Sequence, residues 1–436
     1  MKKPRGAKSS TADVRQSVSV CIGNAGALVG ELTFVKQGAR ENTAFAYGPE
    51  WLARTDRFKV SPDLDLTPDY QRRRAPSPQD SVFHFALADT APDTWGRRVV
   101  ARDHAKRRSA ENLPPLTEMD YLLAVDDFSR IGALRLRDLS ARYLKTSEEG
   151  RRATPPLVDL QRMFDASRAL EENKESAADL AYLLGKGTSL GGLRPKCTVI
   201  DRNGRLSLGK FPSVNDERDV TRGEVLALHL ARTAGIDAAQ SRIEALQKVP
   251  VAIIERFDRT VDDLRIPYLS AASVLQATRN EERTYFEIAD AIRTNGFDPE
   301  HDVKQMWRRL VFNLLITNID DHLHNLGFLH VEGDFWRLAP AFDLNPFPDK
   351  TRESKTWLSE DDGPITDVAT LVARADYFSL AAPEAVAVLA GVVKAVSNWK
   401  AVALSPAVGL TAQELAGFVP AFEHDQLNAA KALLEA

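Results

Sequence analysis

The chain of 436 residues has only two cysteines, no long apolar run and no excess of positive charge. Cys21 and Cys197 lie far apart and form no CxxC pair, so neither a disulfide framework nor a zinc site is expected, and a reducing cytoplasm is the predicted location. The formal net charge is −4, so the molecule as a whole lacks the excess of positive charge that is typical of nucleic-acid-binding proteins. The most apolar stretch, residues 380–396, is interrupted by proline, glutamate and lysine, which predicts a helix of a soluble protein and no membrane span.

The length is too great for one compact core, and 44% hydrophobic with 27% charged residues is typical of a globular protein with two or three units. Residues 1–16 are basic and polar, lack the apolar run of a signal peptide and are predicted to form a disordered tail. Short apolar runs between glycines predict strands within residues 17–60, and a polar loop is expected over 68–80. Residues 145–156 are the best candidate linker.

Beyond this linker the patterns change from mixed to mainly helical. Residues 157–184 predict helices, and the segments 197–200 and 206–211 predict two strands joined by an Asn-Gly turn. Apolar residues at three- and four-residue spacing over 303–315 predict an amphipathic helix. A mixed α/β half that precedes a mainly helical half suits two lobes with a cleft between them.

The segment that carries the strongest chemical signal is NIDDHLHNLGFL, residues 318–329. It holds two Asp, two His and two Asn within eight residues directly after an apolar helix, and polar groups packed that closely need a partner. Asp320 and Asn325 lie five residues apart, the spacing between the base and the magnesium-binding asparagine of a protein-kinase catalytic loop. An aspartate can accept or orient the proton of a hydroxyl, and an amide oxygen suits Mg²⁺.

Further candidate site residues occur along the chain in the same order as the site residues of a protein kinase. Asp343 comes just after the short predicted strand 335–338, where a kinase holds its main metal ligand. Upstream, the glycine-rich segment 185–192 precedes the two strands and offers backbone N–H groups for phosphates. Lys210 ends the second strand, and Glu224 is predicted to open the next helix and to pair with Lys210.

Each of these features also has a simpler interpretation. The glycine-rich segment could be an ordinary turn, Lys210 a solvated lysine and Glu224 a first-turn glutamate favoured by the helix dipole. The pair His322 and His324, with neighbouring aspartates, could belong to a metal hydrolase. No third histidine lies near in sequence beyond His330, so His322 is predicted to be a structural hydrogen-bonding residue instead.

The chain also resembles the HipA-type kinases, the toxin halves of bacterial toxin–antitoxin pairs. The blocks that carry this resemblance are spread over most of the length: AFAY at 44–47 with Trp51 and Leu52, DTAPDTWGRR at 89–98, SLGGLRPK at 189–196, ERFDR at 255–259, NIDDHLHN at 318–325 and LAPAFD at 338–343. The last two blocks and the Ser-x-Gly-Gly block are specific in combination.

The resemblance implies an α+β, protein-kinase-like two-lobed fold, with a mixed α/β N-terminal part and a mainly helical C-terminal lobe. It implies an extra N-terminal HipA-type subdomain over residues 17–150, a nucleotide-binding N-lobe over 151–256 and a helical C-lobe with the catalytic loop over 257–436. ATP and Mg²⁺ are the implied cofactors.

The resemblance also implies roles for individual residues. Asp320 would be the catalytic base, and Asn325 and Asp343 would bind Mg²⁺. Ser189 would be the autophosphorylation site, with Thr188 beside it as the alternative, and a phosphate there would repel ATP and inactivate the enzyme. Residues 251–256 would form the hinge that faces adenine. The implied ATP contacts are Lys210, Gly187, Gly191, Gly192, Glu255 and Phe257, and the implied supporting residues are Glu224, His322, Asp321 and Lys196.

The family's substrates are aminoacyl-tRNA synthetases, so translation arrest is the implied consequence. Its usual partner is a small helix-turn-helix antitoxin of the HipB type that binds operator DNA, and the near-neutral charge of this chain agrees with DNA contact through that partner. Two alternatives stay open: a catalytically weak corepressor that binds ATP and acts with the antitoxin, and a metal-dependent hydrolase.

Overall fold

The computed structural model describes residues 13–145, 159–184, 192, 194–247, 249–279 and 281–435. In this part of the chain, antiparallel sheets dominate the first 255 residues and helices dominate the rest, which confirms the predicted α+β layout. No helix among the described residues is long and apolar enough to cross a membrane.

The first unit is built on a five-stranded antiparallel sheet. Its strands are β1 (Val14–Ile22), β2 (Ala27–Gln37), β3 (Arg40–Tyr47), β4 (Gln71–Arg74) and β5 (Leu134–Arg137), in the spatial order β4-β3-β2-β1-β5. Alternate side chains such as Val18, Val20 and Leu32 are buried, because successive residues of a strand face opposite sides of the sheet. The helices of this part of the chain are α1 (Pro49–Leu52), α2 (Phe85–Asp89), α3 (Thr94–Glu111) and α4 (Glu118–Ala124).

Two predictions for this unit are wrong in part. The predicted tail over residues 1–16 ends too late, because residues 14–16 belong to β1 and pair with β2. The predicted polar loop over 68–80 contains β4, an edge strand that pairs with β3. Its Arg73 is fixed by Asp63, 3.1 Å from the guanidinium, and lies over the ring of Phe85, so tertiary contacts order a segment that is polar throughout.

The second unit is a four-stranded antiparallel sheet with helices on it. Its strands are β6 (Lys196–Ile200), β7 (Leu206–Lys210), β8 (Ser241–Leu246) and β9 (Val249–Glu255), in the order β6-β7-β9-β8. The predicted hairpin is confirmed, and Gly204 takes the positive φ of 77° that its turn requires. The accompanying helices are α5 (Leu160–Glu171), α6 (Ala177–Leu184) and α7 (Val220–Thr233).

The core of this second unit also includes α3 from the first part of the chain. Trp95 and Val99 of α3 are fully buried against residues of α5, α6 and the sheet, among them Met163, Leu180 and Val251. The predicted boundary near residue 150 lies outside the described residues, and packing between the two units crosses it.

The C-terminal half consists of helices around a small three-stranded sheet. Its first members are β10 (Tyr268–Ser270), α8 (Ala271–Val274), α9 (Tyr285–Asn295), α10 (Pro299–Leu315), β11 (Gly327–Glu332) and β12 (Phe335–Leu338). A two-stranded ribbon and the last helices follow: β13 (Trp357–Ser359), β14 (Gly363–Pro364), α11 (Val368–Ala373), α12 (Ala382–Ser397), α13 (Trp399–Leu404), α14 (Ala412–Leu415), α15 (Val419–Phe422) and α16 (Asp425–Glu435).

Helix α10 is the centre of this half, and its predicted apolar stripe is confirmed. Asp298 caps its first turn and Pro299 occupies the first helical position, where a missing N–H costs nothing. Trp307 is fully buried and donates to the carbonyl of Leu371, 2.9 Å away. The helix ends before Thr317, whose φ of 55° turns the chain into the segment that leads to β11. That segment contains the predicted catalytic residues.

Candidate active site between the two lobes

Lys210 joins the two lobes at the end of β7. Its Nζ lies 2.6 Å from Oε1 of Glu224 on α7 and 2.7 Å from Oδ1 of Asp343. Burial lowers the pKa of the Lys210 ammonium, but the attraction of Asp343 and Glu224 outweighs burial and leaves the pKa above its ordinary value. The lysine is therefore charged, and the predicted pairing with Glu224 is present.

The position of Glu224 corrects one prediction. Helix α7 begins at Val220 after the capping residue Asp219, so Glu224 lies in the second turn and does not open the helix. The helix dipole acts mainly on the first turn, so it does not account for a glutamate here. Glu224 is buried and burial raises its pKa, which makes the contact with Lys210 its main compensation.

Asp343 follows β12 on a turn with unusual backbone geometry. Its φ is 54°, a left-handed conformation that costs about 1 kcal/mol or more for a non-glycine residue and is often found at functional sites. Asn345 donates from Nδ2 to Oδ1 of Asp343 over 3.2 Å, and its own N–H binds Oδ1 of Asn318. Burial raises the pKa of Asp343, but Lys210 outweighs burial and lowers it to about 2. The carboxylate is thus ionised at neutral pH.

Asp320 and Asn325 lie on one tight loop. Asn325 closes a single 3₁₀ turn, Leu323–Asn325, and its Nδ2 donates to the backbone carbonyl of Asp320 over 2.7 Å. This contact uses the amide nitrogen of Asn325 and leaves its Oδ1 as the atom that would bind Mg²⁺. The Asp320 side chain keeps 35% of its surface exposed, so a substrate can reach it.

Asp321 anchors this loop from behind. Its Oδ2 accepts from the hydroxyl of Tyr285 over 2.6 Å, and its Oδ1 accepts from the backbone N–H of Lys355 over 2.7 Å. The Thr356 hydroxyl binds the Asp321 carbonyl at 2.8 Å. Burial raises the pKa of Asp321 to about 6. The adjacent carboxyls therefore differ: that of Asp320 is accessible, and that of Asp321 is a buried acceptor that holds the loop.

His322 does not hydrogen-bond in the way that the sequence predicts. Its Nδ1 is buried and has no hydrogen-bond partner among the described residues, and its Nε2 lies 3.9 Å from Oδ1 of Asp320. Burial lowers the pKa of the imidazole below its ordinary value. The ring borders a cavity that Asn325 and Asp343 also line. These three polar residues thus border one space together with apolar residues of α10 such as Met306 and Leu310.

The donors at this cavity fit Mg²⁺. An ionised carboxylate from Asp343 and an amide oxygen from Asn325 are the hard oxygen ligands that this ion prefers, with water and phosphate oxygens to complete an octahedron. The metal-hydrolase alternative finds less support, because a catalytic zinc site needs three protein ligands. Among the described residues, no group of three or more His, Cys, Asp or Glu side chains could hold a metal.

The glycine-rich segment is described only at its end. Gly187, Thr188, Ser189 and Gly191, which the resemblance assigns to ATP binding and autophosphorylation, lie outside the described residues. Gly192 has φ of 107°, and a Cβ there would come within 2.9 Å of Nζ of Lys196. Lys196 is buried in β6 and forms a 3.0 Å ion pair with Asp93, the capping residue of α3.

The ERFDR block lies where the chain passes between the lobes. Glu255 ends β9 and its carboxylate pairs with Arg205. Phe257 packs 5.3 Å from the ring of Phe342, the residue before Asp343. Asp258 accepts from Arg256, Arg259 and the backbone N–H of Gly132 in the first unit. The block therefore joins the hinge region to the N-terminal subdomain, a role that its charge pattern alone does not reveal.

Comparison with known proteins identifies the family. The model of the HipA N-terminal domain matches residues 20–137, and that of the HipA-like C-terminal domain matches residues 188–399. The chain belongs to the HipA family. The ATP, magnesium and phosphorylation roles of its individual residues stay predictions.

Relatives and a solved structure extend this result. A chain of the HipA, HipB and operator DNA complex from Shewanella oneidensis shares the fold with a TM-score of 0.67 and 16% identity, over 96% of this chain and 99% of that one. A protein of Sinorhizobium fredii named "Putative kinase Y4mE" is 23% identical over 342 residues, 73% of this chain and 75% of its own length. A "Putative kinase" of Haemophilus influenzae is 22% identical over 188 residues, 38% of this chain and 55% of its own length.

The structure of this HipA-family protein adds site residues that the sequence reasoning missed. Lys355 contacts the carboxylate of Asp320, Asn345 holds Asp343, and Tyr285 fixes Asp321. Asn345 could have been noticed two residues after Asp343. Lys355 and Tyr285 have no local signal, because each lies 35 or 36 residues from its partner.

Proposed function

We propose that this HipA-family protein is a kinase that uses ATP and Mg²⁺ to phosphorylate serine or threonine hydroxyls of a protein. The contact that supports this most directly is Lys210, which bonds both Glu224 and Asp343. It brings a lysine suited to phosphates and a carboxylate suited to a metal to one point. Phosphoryl transfer depends mainly on positioning and charge neutralisation, and this arrangement offers both.

In the proposed reaction, the substrate hydroxyl oxygen bonds to the γ-phosphorus while the bond from that phosphorus to the β–γ bridging oxygen breaks. Asp320 accepts the hydroxyl proton, and ADP leaves. Lys210 would hold phosphate oxygens, and Asn325 and Asp343 would hold Mg²⁺, which would neutralise phosphate charge. The substrate that we propose is an aminoacyl-tRNA synthetase, so that phosphorylation inhibits translation and promotes persistence.

The proposed partner is a HipB-like antitoxin that carries the contacts to operator DNA, and the proposed location is the cytoplasm. The fold likeness to the Shewanella oneidensis chain, taken from a complex with HipB and operator DNA, supports this proposal over nearly the whole length. The net charge of −4 agrees with DNA binding by the partner.

Transfer of label from γ-labelled ATP to protein tests the proposed activity. Purified protein that starts unphosphorylated is incubated with and without Mg²⁺, and the phosphopeptides are mapped. Label that depends on Mg²⁺ and appears on serine or threonine supports the kinase. Absence of label on the protein and on candidate synthetases would contradict it and favour the ATP-binding corepressor.

Asp343→Ala is expected to weaken ATP binding at least tenfold in the presence of Mg²⁺, because the ionised metal ligand is lost. ATP affinity measured in EDTA should change much less. Asp349→Ala removes an exposed carboxylate in the following segment and serves as the matched control. Equal ATP affinity of wild type and Asp343→Ala across a magnesium titration would rule out this metal site.

Ser189→Ala is expected to stop autophosphorylation and to prolong kinase activity in a time course, because no phosphate can then accumulate in the glycine-rich segment. Phosphopeptide mapping of the wild type and of Thr188→Ala provides the comparison. Label that persists in Ser189→Ala and disappears in Thr188→Ala would move the site by one residue.

A further inference from the structure

Lys355 is the cation that the structure places on the carboxylate of the predicted base. Its Nζ contacts Oδ1 of Asp320, although the two residues lie 35 positions apart. The Lys355 side chain is 54% exposed and that of Asp320 is 35% exposed, so both are open to a substrate. An exposed ion pair taken alone contributes little to stability. The position of Lys355 therefore needs another explanation.

The backbone around Lys355 is fixed to the catalytic loop. The N–H of Lys355 and the hydroxyl of Thr356 both bind Asp321, which Tyr285 holds from the other side. Arg352 donates to the hydroxyl of Thr317 at the start of the loop, over 3.1 Å. The segment is thus attached at several points that do not involve the Lys355 ammonium. These contacts fix the backbone of Lys355 beside the catalytic loop, so the ammonium is not required to hold the segment in place.

The proposed site carries much negative charge, which the Lys355 ammonium would help to neutralise. Asp320 and Asp343 bring two carboxylates towards the terminal phosphate of ATP, which is itself strongly negative. Lys210 is the cation beside Asp343, where it is shared with Glu224, and Lys355 is the cation beside Asp320. A nucleophile activated by Asp320 would approach the phosphoryl group from the side of this carboxylate, where Lys355 supplies positive charge.

We propose that the Lys355 ammonium binds an oxygen of the transferring phosphoryl group and is a catalytic residue of this kinase. This inference rests on the proposed kinase activity. In the structure the ammonium contacts Asp320, and in the reacting complex it would bridge that carboxylate and the phosphoryl group. The atoms of the reaction are unchanged, because Lys355 gives up no proton and only neutralises charge.

The test compares Lys355→Met, Lys355→Arg and the control Lys350→Met, which removes an exposed lysine from the same segment. Transfer from γ-labelled ATP is measured with unphosphorylated protein. We expect Lys355→Met to lower kcat about 100-fold, the loss typical of one donor to the transition state, with a KM for ATP close to that of the wild type. Lys355→Arg should keep at least ten times more activity than Lys355→Met, and Lys350→Met should match the wild type.

A second measurement separates contact with the phosphoryl group from support of the loop. Binding of ADP with Mg²⁺ is compared with binding of ADP, Mg²⁺ and aluminium fluoride, which mimics the transferring group. Lys355→Met should bind ADP as the wild type does but lose most of the extra affinity that the fluoride complex gives. If Lys355→Met lost equal affinity for ADP and for the fluoride complex, or kept a kcat within threefold of the wild type, the inference would be overturned. An inactive wild type would instead overturn the proposed function and the inference with it.

Discussion

Asp320→Asn is expected to lower phosphoryl transfer about 10³-fold, within the range for loss of a general base, and to leave the fold intact. Asparagine has nearly the same volume, and its amide oxygen can still accept from Lys355. The backbone carbonyl of residue 320, which holds Asn325, is unaffected. The change therefore removes the charge and the basicity of one accessible group and little else.

The measurement is incorporation of label from γ-labelled ATP, beside thermal unfolding and ADP affinity as checks on the fold. Asp361→Asn makes the same chemical change at an exposed position away from the loop and should behave as the wild type. A variant that folds, binds ADP and still transfers phosphate within tenfold of the wild-type rate would show that Asp320 is not the base.

The parts of the site that the sequence predicts are those encoded over short distances. Asp320 and Asn325 are five residues apart on a loop that follows a strongly amphipathic helix, and the helix fixes where the loop begins. Lys210 ends a short strand and Asp343 follows another, so the place of each can be predicted from local pattern. Such features need only one element to form as predicted.

Other parts depend on packing between distant segments. The prediction for His322 is wrong because residue spacing does not say which way a ring turns, and its Nδ1 is buried without a hydrogen-bond partner among the described residues. The polar loop predicted over 68–80 misses β4, because three arginines in a row give no sign of the edge strand that pairs with β3. Lys355 became visible only when the fold brought it to Asp320.

The ERFDR block, residues 255–259, also has a role that depends on contacts with a distant segment. The resemblance assigns its Glu255 and Phe257 to nucleotide binding, whereas its charged centre is buried under the N-terminal subdomain. Asp258 is 2% exposed, and its partner Gly132 lies 126 residues earlier in the chain. Arg256 donates to the carbonyls of Ser129 and Arg130 as well. Glu255 and Phe257 can therefore serve the hinge, while Arg256 and Asp258 hold it to the N-terminal subdomain.

Asp258→Ala is accordingly expected to destabilise the protein by roughly 3–5 kcal/mol, because it leaves two buried guanidinium groups without their carboxylate. The two arginines hold the pKa of Asp258 far below its ordinary value of 3.8, although burial acts in the opposite direction and is the largest single influence. A depressed pKa means that the stabilisation is fully present above pH 3.8 and is lost as the pH falls towards the folded-state value. The difference between wild type and variant should thus be constant near neutrality and shrink only in acid.

Denaturant unfolding at pH 7 and at lower pH measures this difference, and Asp262→Ala, an exposed aspartate of the same segment, is the matched control. Limited proteolysis adds a structural readout, since loss of the joint should expose the connection between the subdomain and the hinge. If Asp258→Ala unfolds at the same denaturant concentration as Asp262→Ala, the buried arginines find other partners and the joint does not depend on this carboxylate. If it unfolds earlier and ATP affinity falls as well, the joint also positions the nucleotide side of the hinge, because Arg256 directly follows Glu255 in the chain.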